Sequence, residues 1–135
     1  MASPSLKIDR ARYILTLDPG RRIIQDGSIV IEGQRITHVD KATELSAVKA
    51  DRVIDASNMV ITPGFYNGHM HISYAHAVRG IFPDDVKDRL SYVFQMQAVM
   101  TEEEEYTTSL LAITELLKGG TTCFVDPGTT KYLDA

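Results

Sequence analysis

The chain contains one cysteine, Cys123, so no disulfide can form within it. That sparing use of thiols is compatible with a reducing cytoplasm. It has no cluster of Lys and Arg, and its net charge of -4 and pI near 5.5 argue against a nucleic-acid surface. Phosphate binding needs grouped cations. No apolar run approaches the roughly 18 residues of a membrane helix. The opening segment MASPSLKID lacks the apolar core of a signal peptide. Neither GxGxxG nor GxxxxGK[ST] occurs, which leaves a dinucleotide- or phosphate-cradling loop without support. There is no internal repeat and no low-complexity segment. Together these absences point to a cytoplasmic protein with no membrane and no nucleic-acid partner. What is present is an ordinary globular composition over 135 residues, 44% hydrophobic and 24% charged. That length suits one domain or part of a larger one.

The chain divides near Pro63-Gly64. Before it, LKIDRARYILTL (6–17), SIVIE (28–32) and RITHVD (35–40) read as strands, with turns at Asp18-Pro19-Gly20 and Gly33-Gln34. The last two form a hairpin with one wet face. Short strands at 53–55 and 59–61 complete a small, mostly antiparallel β unit over residues 1–62.

After the division, Phe65 to Ile72 reads as one strand. Residues 84–100 read as a helix with a stripe of Leu90, Val93, Phe94 and Gln97. Thr101 and Glu104 form a capping box for a second helix, and Glu102 to Glu105 match the helix dipole as solvated acids. Tyr106, Leu110, Ile113 and Leu117 make its apolar stripe, and Gly119-Gly120 ends it. TTCFV (121–125) is then a strand entering Asp126-Pro127-Gly128. Strand, helix and strand make a βαβ unit with parallel pairing, so residues 63–135 read as an α/β segment.

The most informative stretch is PGFYNGHMH, residues 63–71. On a strand, alternate side chains share a face, so His69 and His71 would lie together with Met70 on the other side. Two adjacent imidazoles are a beginning for a divalent metal site. A catalytic zinc usually takes three protein ligands and a water, and this segment offers two.

PGFYNGHMH, the VRG of residues 78–80 and LLKGGTTCFVD together resemble the amidohydrolase superfamily of metal-dependent hydrolases, most of all its deaminase and chlorohydrolase branch. The likeness covers essentially the whole chain. It implies the N-terminal part of a (β/α)8 TIM-type barrel, preceded by part of a small β-sandwich. Residues 1–62 would belong to the sandwich and 63–135 would hold the first two β/α units. It also implies hydrolysis of C–N or C–Cl bonds in a small, nitrogen-rich heterocycle through a water activated by one divalent ion. Zn²⁺ is the expected ion, with Fe²⁺ or Co²⁺ in its place as alternatives. His69 and His71 would be metal ligands at the C-terminal end of the first barrel strand, where such barrels keep their active sites.

The departure is length. A barrel of this kind takes about 250 residues, and the family's two further histidines and late aspartate have no counterpart here. The chain is therefore expected to be the N-terminal portion of a longer hydrolase, a homo-oligomer as the full-length enzyme, and inactive when isolated. Arg79 and His76, on the loop after the first barrel strand, are candidate substrate-binding residues. Asp126 is a candidate hydrogen-bond partner for a ligand histidine, with a turn-forming role as its alternative. Asn67 and Gly68 would shape the strand entry. Cys123 would be a buried small hydrophobe. A competing reading is a non-catalytic fragment or scaffold without a complete metal site. Within the enzyme class the competitor is a urea or carbamate hydrolase.

Overall fold

In the computed structural model, residues 5–74, 76–81, 87–128 and 131–132 are described, with Arg89 and Leu90 described for backbone alone. The chain forms two compact units, Met1–Pro63 and Gly64–Ala135.

The middle strand of the first unit is β1 (Ser5–Leu15). It pairs antiparallel with β2 (Ile23–Glu32), which pairs antiparallel with β3 (Arg35–Lys41). β4 (Arg52–Asp55) and β5 (Val60–Ile61) both run parallel to β1. The sheet is thus mixed, where the sequence suggested a mostly antiparallel unit. The cause lies in residues 42–51. They form a crossover, anchored by buried Ala42 and Leu45, that returns the chain in the direction of β1. A parallel pair needs a connection of that kind and cannot be closed by a tight turn. The expected single wet face of the hairpin is also corrected. β3 is exposed along almost its whole length, and Val39 alone of its residues is half-buried. The core consists of Ala11, Ile14, Ile24, Ile29 and Ala56. The described strands of this unit form one five-stranded sheet.

β1 carries a bulge between Ile8 and Ala11, with Arg10 at φ 56°. A buried polar network holds it. Lys7 Nζ donates to Leu45 O at 2.8 Å and lies 3.1 Å from Asp9 Oδ1, which accepts from Ser28 Oγ at 2.7 Å. Burial raises the Asp9 pKa, but the Ser28 hydroxyl and the Lys7 and Arg10 cations outweigh it and leave the carboxyl below its ordinary 3.8. A depressed carboxyl adds stability above its unfolded pKa, and that stability is lost as pH falls through the folded value. The β unit is therefore expected to lose stability in acid below about pH 4. Asp9→Asn should cost on the order of 3 kcal/mol at pH 7, because it strands the buried Lys7 ammonium. Urea unfolding at pH 7 and pH 3 measures both effects.

The second unit opens with β6 (Phe65–Asn67), followed by α1 (Arg89–Val99), α2 (Glu102–Lys118) and β7 (Thr121–Phe124). β6 and β7 are parallel, with Phe65 opposite Thr121 and Asn67 opposite Phe124. The capping box on α2 is present, with Thr101 N–H donating to Glu104 Oε2 at 2.8 Å and Glu104 N–H to Thr101 Oγ1 at 3.3 Å. Gly120, at φ 82°, takes the left-handed conformation that closes the helix end.

Three expectations are corrected here. Tyr106, Leu110 and Leu117 are exposed, while the buried face of α2 runs through Glu105, Thr108, Ala112 and Leu116. Ala112 is 0% exposed. A small residue lets the helix approach its neighbours closely, and the longer apolar side chains stand clear. On α1, Val93 is buried and Phe94 is exposed, so the expected stripe is also rotated. Residues 84–86 of that expected helix and the side chain of Leu90 lie outside the described residues. Cys123 is exposed, not buried, on its face of the two-stranded sheet.

Candidate metal centre

β6 ends sooner than its sequence suggests. Asn67 Oδ1 accepts the His69 N–H at 3.1 Å, and Gly68 bends the chain, so His69, Met70 and His71 lie beyond the strand. Such a side-chain turn at Asn competes with the sheet ladder for the same backbone donors. The reading of residues 65–72 as one strand is thereby corrected, and Asn67 shapes the strand exit rather than its entry.

The segment is still tied to the two residues that follow β7. Val125 N–H donates to Asn67 O at 2.9 Å, Met70 N–H to Val125 O at 3.0 Å and Ile72 N–H to Asp126 Oδ2 at 3.2 Å. This near-strand path keeps the two imidazoles adjacent, with ring centroids 4.8 Å apart and planes at 90°. On its other side His71 stacks on Tyr74, centroids 5.1 Å apart and planes 26° apart. Tyr74 is itself buried with Val93 and Met100, so α1 steadies the His71 ring.

The donor chemistry fits part of a divalent site. Two neutral imidazoles suit Zn²⁺ and its first-row neighbours. Among the described residues no group of three or more His, Cys, Asp or Glu side chains gathers for a metal. Asp126 lies at the exit of β7 and accepts from two backbone amides, Ile72 through Oδ2 and Gly128 through Oδ1 at 2.9 Å. It thus forms a turn and also holds the backbone next to His71.

His76 and Arg79 lie elsewhere in the unit. His76 Nε2 is 2.9 Å from Glu115 Oε2, and Arg79 Nη1 donates to both Glu115 oxygens at 3.1 and 3.0 Å. The His76 side chain is 3% exposed and its Nδ1 has no hydrogen-bond partner. His76 first and Arg79 second hold the Glu115 carboxyl below its ordinary value. Together with Met70, Ala112, Leu116, Gly119 and Thr121 they line a cavity of about 310 Å³. Gly119 and Thr121 mark the N-terminal end of β7, whereas the paired imidazoles follow the C-terminal end of β6.

Sequence reasoning missed three residues. Glu105, taken as one of four solvated acids, is 0% exposed and accepts the backbone N–H groups of Lys131 and Tyr132, both at 3.0 Å. Thr108 Oγ1 donates to Ser73 O. The available signal was the small residues Ser109 and Ala112, four and seven positions after Glu105, which place it on the packed face. Tyr74 was also missed as the platform for His71.

The chain belongs to the amidohydrolase family, whose sequence profile matches residues 60–135. It is 38% identical over 117 residues to a 5'-deoxyadenosine deaminase of Methanosarcina barkeri, covering 84% of this chain and 26% of that protein. To a 5-methylthioadenosine/S-adenosylhomocysteine deaminase of Caldicellulosiruptor saccharolyticus it is 36% identical, covering 84% and 27%. The chain thus spans about a quarter of the length of these relatives. Among solved structures it is similar to an adenosine deaminase from Xanthomonas campestris with bound zinc, at 26% identity and TM-score 0.77, covering 91% of this chain and 28% of that one. It also resembles, in fold alone, atrazine chlorohydrolase from Arthrobacter aurescens TC1 complexed with zinc, at 24% identity and TM-score 0.76, covering 90% and 28%.

No helix among the described residues is long and apolar enough to cross a membrane.

Proposed function

We propose that this chain supplies two metal ligands, His69 and His71, to a hydrolase that removes an amino group from a purine-type, nitrogen-rich heterocycle. The observation that carries the reading is the edge-to-face imidazole pair at the exit of β6, steadied by Tyr74 and by the backbone ties to β7. A divalent ion held there, Zn²⁺ in the first instance, would supply a water acidified to a pKa of about 7. The protein's own part is to hold the two rings, to fix the loop through Asp126 and Ile72, and to leave the strand exits open to substrate. That position agrees with a (β/α)8 barrel, whose chemistry sits at the C-terminal ends of its strands. Arg79 and His76 are proposed to serve the substrate pocket, and their shared ion pair with Glu115 supports a loop-fixing part in it more directly than contact. The deaminase relatives support C–N hydrolysis, and none of the relatives or structures named above is a urea or carbamate hydrolase.

The test is ammonia release by the intact protein, loaded with Zn²⁺ and offered 5'-deoxyadenosine and adenosine. Turnover that stops with a chelator and returns with metal is the expected result. Failure on these nucleosides and on chlorinated triazines, with metal bound, would overturn the substrate class.

A further inference from the structure

α2 carries two polar side chains on its buried face, one turn apart, and each holds a different part of the strand-exit end. Glu105 is fully buried and accepts from Lys131 N–H and Tyr132 N–H. Thr108 Oγ1 reaches the carbonyl of Ser73, two residues after His71, and shares its one proton with the helix carbonyls Glu104 O at 2.9 Å and Glu105 O at 3.1 Å. Residues three apart on a helix point the same way, so the first turns of α2 face both attachments. Lys131 adds a third tie, because its Nζ donates to Ala98 O at 3.1 Å and Met100 O at 3.2 Å, at the end of α1. On the same side, Asp126 Oδ2 accepts from Ile72 N–H. Glu105 therefore holds the backbone five and six residues beyond Asp126, Asp126 holds Ile72, and Ile72 adjoins His71.

We propose that Glu105 is a positioning residue for the imidazole pair, acting through the segment after β7 and through Asp126, with Thr108 as a direct second tie on the same loop. The proposal rests on the reading of His69 and His71 as metal ligands. The chemistry demands a carboxylate. Two backbone N–H groups converge on one buried side chain, Lys131 on Oε1 and Tyr132 on Oε2, and a carboxylate accepts at both atoms without presenting a donor. In that geometry glutamine would set its NH2 against one of the two N–H groups. A buried carboxylate used in this way is a fixed anchor, since leaving either amide unpaired in the interior carries a desolvation cost.

The test uses the intact protein with Glu105→Gln, Thr108→Val and, as a control, Glu102→Gln at an exposed position of the same acidic run. Amide hydrogen exchange at Ile72 is read against exchange in the middle of α2, and Co²⁺ affinity is read by its visible absorption. Glu105→Gln is expected to speed exchange at Ile72 about tenfold, leave mid-helix exchange unchanged and weaken Co²⁺ by about 10–100-fold, the scale for a residue that orients a ligand from outside. Glu102→Gln should change neither. In a cycle with Asp126→Asn, the double variant should lose little more Co²⁺ affinity than Asp126→Asn alone, because both residues lie on one line of action. Equal acceleration at Ile72 and throughout α2 would reduce Glu105 to general stability and overturn the proposal. So would full additivity in the cycle, or unchanged Co²⁺ affinity in a wild type that binds Co²⁺. A wild type that binds no Co²⁺ would overturn the metal reading itself. If Glu105→Gln does not fold, Thr108→Val carries the same comparison, with faster Ile72 exchange and weaker Co²⁺ binding as the supporting result.

Discussion

Replacing His71 with alanine is expected to leave the intact protein unable to retain metal through dialysis, and to lower hydrolysis by more than the roughly 10–100-fold typical of a residue one shell removed from a metal. The imidazole is held on two sides. Its ring meets His69 edge to face at 4.8 Å and stacks on the buried Tyr74 at 5.1 Å. Alanine removes a donor and also the partner that completes both contacts. His69→Ala should behave alike, since its ring is the other half of the pair. Tyr74→Leu keeps both imidazoles and removes only the platform, so its effect on metal content should be smaller than that of either histidine change. Metal content by elemental analysis and ammonia release, measured on the same samples, separate the two kinds of loss. An alanine variant at either histidine that retains full metal content would remove that residue from the ligand set.

The second large effect concerns Gly64, ahead of β6. A Cβ there would lie 2.1 Å from Thr122 Oγ1, 2.4 Å from its Cγ2 and 2.8 Å from its Cβ. Threonine is β-branched and stiff at χ1, so it cannot swing clear. The two strands would have to separate, and with them the backbone ties from Val125 to Asn67 and Met70 that hold the histidine segment. Gly64→Ala is therefore expected to destabilise the second unit by about 3 kcal/mol, the upper range for overpacking, and to weaken metal binding as well. Adding Thr122→Ala removes the two nearest atoms and should restore much of the loss. Thermal unfolding of the single and double variants measures it. A Gly64→Ala protein as stable as the parent would show that the strands do not approach so closely.

The scale of these effects follows from where the site is built. Each histidine is held by neighbours that are close in sequence, such as Asn67 and Tyr74, and by ones that are distant, such as Val125 and Asp126. Changes at the strand contact act on both imidazoles together. A change at His71 itself removes one donor and leaves the strand contact in place.

Sequence alone determined the features whose energetics are local. Thr101 and Glu104 satisfy each other's backbone three residues apart, and Gly120 takes a conformation that costs other residues more, so both helix ends were legible. The parallel pairing of β6 with β7 was legible because a helix in the connection leaves little other choice. The proximity of His69 and His71 follows from one intervening residue on an extended path.

Tertiary structure decided the rest, because the deciding partners are far along the chain. Only the small residues Ser109 and Ala112 on the same face set Glu105 apart from Glu102 to Glu104. Its burial is set by the amides of Lys131 and Tyr132, 26 and 27 residues away. The apolar stripe of α2 read as its inner face, yet Ala112 is the buried apolar residue of the helix, Ile113 is half-buried, and Tyr106, Leu110 and Leu117 are exposed. β4 joins β1 in parallel because a crossover carries it there, which local strand propensity does not encode. Asn67 had two uses for its side chain, and the turn to His69 won over continuation of the ladder. The histidines of the proposed metal centre were written in nine consecutive letters, and the supports that hold them come from contacts that only folding brings together.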